Sequence, residues 1–134
     1  MNVADTALYG ALTADATLMA LIPGGIHKLR APYATTFPLI VFHWEGKSYE
    51  GNLGDSPAWV SGQLVIKAVT EGLSTVSAYD ILDRVETVLA SPLSLSGRTS
   101  IALMHVSDPA EYAEDAEGGL RLMHVVSTWN WYIQ

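Results

Sequence analysis

The order in which helical and strand-like hydrophobic periods follow one another constrains this fold more than any single motif. Leu8, Ala11 and Leu12 recur at helical spacing, with Ala4 one turn earlier. Thr13-Ala14-Asp15 reads as a break and restart, with Asp15 placed to cap a second short helix carrying Leu18, Met19, Leu21 and Ile22. The helical stretch Leu8–Ile22 ends at Pro23-Gly24-Gly25. Ile26–Leu29 suits a short edge strand, and Ala31–Thr36 a loop, because Pro32 and Pro38 bias the residues before them towards extended geometry.

Leu39-Ile40-Val41-Phe42 is a continuous β-prone run, which predicts a strand covered on both faces. Its continuation His43-Trp44-Glu45 turns polar towards Gly46–Pro57, read as a long loop. From Trp59 to Thr70 the chain alternates, with Leu64, Ile66 and Ala68 facing one way and Gln63, Val65 and Lys67 the other. A helix follows over Ser74–Ala90, with Ser74 as its N-cap. Ala78, Leu82, Val85 and Leu89 form its apolar stripe, widened by Ile81 and Val88. Asp80, Asp83, Arg84 and Glu86 lie on the other side, with Asp80 and Arg84 at pairing distance. Ser91-Pro92 stops this helix. Two alternating segments remain, Ile101–Val106 and Leu120–Tyr132, separated by Asp108-Pro109 and an acidic turn region at Glu111–Gly119.

The resulting α-β-β-α-β-β order predicts an α+β fold. A mainly antiparallel sheet should carry two main helices on one face, as one domain over residues 1–134. No internal repeat or low-complexity segment interrupts it. The formal net charge is −7, and the seven Lys and Arg residues are scattered, which argues against stable binding to a phosphate backbone. Only 16% of residues are charged against 49% hydrophobic, which suits a chain that buries some surface against a partner. No apolar run reaches the roughly 18 residues of a membrane span, and the first residues lack the basic start of a signal peptide.

The chemistry-bearing residue types form no catalytic pattern. His43, His105 and His124 lie in predicted strands and could meet across a sheet, yet none belongs to a short-range ligand motif, so no metal is expected. The carboxylates Asp108, Glu111, Glu114, Asp115 and Glu117 miss the alternating spacing of a calcium loop. Nucleophile elbows, dinucleotide-binding turns and phosphate loops are all lacking. The sequence therefore predicts no enzyme, no catalytic residue and no cofactor. What stands out instead is aromatic and acidic. Trp44, Trp59, Trp129 and Trp131 sit at strand ends or in the last strand, where tryptophan either packs the core and its rim or anchors a protein interface. With Tyr49 and Asp55 in the loop, and the acidic Glu111, Glu114, Asp115 and Glu117, they make up the candidate interface.

With these residues in view, the chain resembles the tail-completion or tail-terminator family of long-tailed bacteriophages. The matching stretches are Ala7–Ala16, Gly24-Gly25-Ile26-His27, Phe37-Pro38-Leu39-Ile40-Val41, Gln63-Leu64-Val65-Ile66, the helix ending before Pro92-Leu93, and Gly119-Leu120-Arg121-Leu122. Each is short, so the likeness rests on their order and spacing; the family pattern usually reads Tyr where His27 stands. The resemblance implies a non-catalytic virion protein, made in the host cytoplasm. Such a protein forms a ring, typically of six subunits, on the head-proximal end of the tail tube. The implied partners are further copies of the chain, the tail-tube protein and a head-completion or connector protein, with DNA crossing the lumen without specific binding and no membrane involved. Two other readings stay open: a different neck or head-completion connector, and a small-ligand or metal-binding domain using the histidines.

Overall fold

The computed structural model describes residues 3–32, 36–50, 59–72, 74–95, 100–106 and 109–133; of residues 3, 46–50, 59, 60, 117 and 133 only the backbone is described. Helix α1 (Val3–Thr13) leads into α2 (Ala16–Leu21), β1 (Ile26–Lys28), β2 (Leu39–Glu50) and β3 (Trp59–Glu71). Helix α3 (Val76–Val88) then precedes β4 (Leu93–Ser94), β5 (Ser100–His105), β6 (Ala110–Asp115) and β7 (Arg121–Ile133). Asp15 caps α2 as its sequence position suggests, its carboxylate accepting the Leu18 amide at 3.0 Å.

All strands form one sheet in the order β1-β2-β3-β7-β5-β4, with β6 also on β7. Every pairing is antiparallel except β1 with β2. Strands β5 and β6 share one side of β7, pairing with Trp129–Ile133 and Arg121–Val126 in turn. The fold is thus α+β, with a mainly antiparallel sheet and its helices on one face.

Helix-side packing follows the predicted stripes. Leu8 and Leu12 of α1, Leu18 of α2, and Ala78, Ile81, Leu82 and Val85 of α3 bury against Phe42, Leu64, Ile66, Ala68, Val125, Trp129 and Trp131. Each large apolar side chain taken from water contributes about 1.5–3 kcal/mol, so this layer supplies most of the hydrophobic driving force. Among the described residues the far face has a smaller cluster of Leu39, Val41, Val69 and Leu122, covered partly by Ala31 and Phe37 of the β1–β2 connection. Leu39-Ile40-Val41-Phe42 is buried throughout, as a strand covered on both faces must be. Gly24 makes the turn into β1 possible, since a Cβ there would lie 1.8 Å from the Thr36 carbonyl oxygen.

Four expectations change. The segment read as the loop Gly46–Pro57 begins as strand, because β2 continues past the Glu45/Ser48 irregularity to pair Glu50 with Trp59; residues 51–58, including Asp55, lie outside the described residues. Glu111–Gly119 is not one acidic turn. Its first half is β6, and the reversal is confined to Ala116–Leu120, where Gly118 and Gly119 take φ of 78° and 76°. Arg84 turns from Asp80 to Asp15, because a cap carboxylate on the neighbouring helix offers two oxygens to the guanidinium fork. The N-cap position of α3 is Thr75 rather than Ser74, although the Ser74 hydroxyl still accepts the Val76 amide at 3.3 Å.

Candidate assembly surfaces

Two of the candidate interface tryptophans belong to the interior. Trp129 and Trp131 do share a face, but that face lies beneath the helices, leaving them 4% and 7% exposed. Residues two apart on a strand point the same way, and here burial of one carries the other with it. The Trp129 indole donates to the Ser127 hydroxyl at 3.2 Å, and Trp131 meets Trp44 edge to face at 5.8 Å. Trp44 is half-buried and donates its indole N–H to Oδ1 of Asp5 at 2.7 Å. Trp59 and Tyr49 stand on the β2–β3 hairpin, paired with Glu50 and Val60 respectively.

Asp5 is the polar anchor beneath Trp44. It is wholly buried, and Lys28 reaches its Oδ2 at 2.7 Å, so one carboxylate ties α1 to β1 and β2. A buried carboxylate persists only when charge and hydrogen bonds compensate its desolvation. Nothing in the linear sequence marks this residue out, because its partners come from distant strands.

The acidic residues occupy the opposite border of the sheet. Every residue of β6 is exposed. Glu111 and Ala113 pair across with Val125 and Met123, while Tyr112 and Glu114 pair with His124 and Leu122 on the far face. Asp115 binds Arg121 at 3.1 Å. Glu117 follows in a short 3₁₀ turn. On the far face Glu114 receives a 2.6 Å hydrogen bond from Nε2 of His124, whose ring stacks on Tyr112 at 4.4 Å. Burial pushes the His124 imidazole below its ordinary value; Glu114 opposes that shift and Lys67 adds to it. The neutral ring fits its surroundings, because Nδ1 is buried without a hydrogen-bond partner and could not place a second proton.

These residues border a concavity of about 340 Å³ running across the far face, floored by Leu39, Val41, Val69 and Leu122 and flanked by Arg30 and Lys67. Reading Ala110–Asp115 as a strand ahead of a Gly-Gly turn was the signal that would have brought Tyr112, Glu114 and His124 together. The acidic composition masked it. His43 bonds instead to Glu45 at 2.8 Å and His105 stands against Trp129, so the three strand histidines do not converge. Among the described residues no cluster of three potential metal ligands forms, and no helix is long and apolar enough to cross a membrane.

What this arrangement offers is edges, exposed charge and a shallow apolar trough. Residues 6–134 match the profile of the family described as Tail completion protein gp17. The chain belongs to that family. It is a structural virion protein of bacteriophage tail completion, and the family is not one of enzymes. The fold recurs in a chain of the solved virion of a native gene transfer agent (GTA) particle, with a TM-score of 0.69, 20% identity and 97% of each chain covered. No curated protein matched the sequence.

Proposed function

We propose that this tail-completion protein caps the head-proximal end of the tail tube as a ring, ending tube polymerisation and presenting the surface on which the head docks. Family membership over residues 6–134 carries the reading. The likeness to a chain of a gene transfer agent virion, over 97% of each chain, supports placement among other virion proteins. The fold is suited to it: a helix-backed sheet whose outer strands have no further partner among the described residues can repeat head to tail, and heterologous contacts close into rings when the rotation allows. In this reading residues 1–134 act as one domain, probed at its surface by further copies, the tail-tube protein and a head-completion connector. Trp44, Tyr49, Asp55 and Trp59, together with Glu111, Glu114, Asp115 and Glu117, are the contact candidates. DNA crosses the lumen without specific binding.

Deleting the gene tests the role. Tails of uncontrolled length beside unattached, DNA-filled heads support it. Tails of normal length that merely fail to join heads identify a different neck connector, and normal virions overturn a completion role altogether.

A further inference from the structure

We propose that the exposed border of β6 is a strand-addition site for β1 of a second copy of this chain, so that neighbouring subunits share one continuous sheet. The inference rests on the ring reading and specifies its seam. The argument begins with backbone groups. The Ala116 amide bonds the Leu120 carbonyl, which makes Leu122, His124 and Val126 the hydrogen-bonded partners of Glu114, Tyr112 and Ala110. In an antiparallel pair the intervening residues point their N–H and C=O groups away from the partner. Glu111, Ala113 and Asp115 therefore present theirs outward, and among the described residues no strand receives them.

The other border of the same layer is β1. Leu29 donates to the Phe42 carbonyl and Ile40 to that of Gly25, so the groups directed at β2 belong to Gly25, His27 and Leu29. Ile26 and Lys28 point theirs outward, with the Lys28 carbonyl already taken by the Arg30 amide. Strand β1 runs parallel to β2 and hence to β7, whereas β6 runs antiparallel to β7. Copies placed side by side in the same orientation thus meet as antiparallel neighbours. Ile26 opposite Ala113 brings Lys28 opposite Glu111. Both side chains then lie on the helix side of the sheet, since Lys28 reaches Asp5 of α1 and Glu111 pairs with core Val125.

Charge selects this partner over the alternatives. β6 is acidic, while Lys28 and the exposed Arg30 make the β1 border basic. Opposite charges across a strand pair attract and like charges repel. Pairing of β6 with a second β6 through Ala113 would set Glu111 against Asp115. The same carboxylates that guard an edge against promiscuous pairing would then admit the basic one.

Two variants and one cross-link test the seam, read by native mass spectrometry and negative-stain microscopy of the full chain. Ala113→Pro removes an outward N–H without touching the β6–β7 ladder, so circular dichroism should match the wild type while the ring dissociates at least about tenfold more readily. Glu111→Lys should weaken the ring similarly, and added salt should narrow its difference from wild type. The chain has no cysteine, and a hydrogen-bonded pair sits within disulfide reach. Ile26→Cys with Ala113→Cys should therefore oxidise to a series of linked multimers, with neither single variant doing so. Rings that persist unchanged in Ala113→Pro overturn the seam and leave the ring reading standing. Dimers from Ala113→Cys alone overturn it in favour of a symmetric β6 contact. A wild-type protein that forms no ring, free or in virions, overturns both.

Discussion

Arg84 of α3 grips the carboxylate that caps α2: its guanidinium lies 2.8 Å and 3.1 Å from Oδ2 of Asp15 and 3.2 Å from Oδ1. Asp15 therefore serves a local and a tertiary purpose at once, holding the Leu18 amide while joining two helices through a residue 69 positions away. The Arg84 hydrogen bonds, helped by the Leu18 amide, hold its pKa below the ordinary 3.8. A depressed carboxylate stabilises the fold above that ordinary value and stops doing so as pH falls through the lowered one. Arg84→Met should thus lower the melting temperature near neutral pH, with the gap closing as pH drops below about 4. A gap that stays constant into acid would show that packing of the Arg84 stem, not the ion pair, joins the helices.

The two roles of Asp15 mark how far the sequence could be read. Its capping role was legible because a cap acts within three residues. Its partner was not, because helix spacing favours Asp80 for Arg84 and only tertiary placement brings Asp15 closer. The same division runs through the fold. Leu82, Val85, Leu64 and Ile66 were legible as core because periodicity reports local geometry, whereas β6 was hidden by carboxylates that usually signal a turn. Trp129 and Trp131 show the remaining limit. Alternation says that two residues share a face, but it does not say which face the helices cover.

Asp5 yields a sharper energetic prediction. Lys28 supplies its cationic contact at 2.7 Å, and Lys28→Met leaves a wholly buried carboxylate with that contact gone. Leaving a buried acceptor short of a charged donor costs about 1–3 kcal/mol. The Lys28 side chain remains 39% exposed, which places the expectation towards the low end of that range. Denaturant unfolding measures it directly. Lys28→Arg, which can still donate, should lose less, and equal losses in the two variants would detach the effect from charge.

His124 predicts a dependence of opposite origin. Its pKa is depressed mainly by burial, against the pull of Glu114. The unfolded chain therefore binds a proton before the folded one does, so stability falls as pH drops below the ordinary 6.5 and levels off beneath the lowered folded value. His124→Phe keeps a ring against Tyr112 and removes the titration, so its melting temperature should be flatter across that interval. The imidazole resonances followed by NMR give the folded pKa itself, and a value above 6.5 would refute the neutral-ring assignment.

The acidic border allows two functions that one set of substitutions separates. Replacing Glu111, Glu114, Asp115 and Glu117 with Gln or Asn removes four carboxylates while keeping similar volumes. If they line the lumen, they keep the DNA channel free of phosphate-binding charge, and the variant should form normal rings with altered DNA passage or infectivity. If they meet a neighbouring subunit or the tube protein, their charge steers and orients the contact, so assembly itself should weaken. The structure favours the second outcome for Glu111, which is exposed on an open strand border, over Glu114 and Asp115, which are already engaged by His124 and Arg121. Restoring Glu111 alone in the quadruple variant should then recover most of the assembly, read as ring yield at low salt. Recovery on restoring Glu114 or Asp115 but not Glu111 would place the contact on the hairpin tip instead. Unchanged assembly and infectivity would leave the cluster a solvated edge whose charges serve only to deter stray strands.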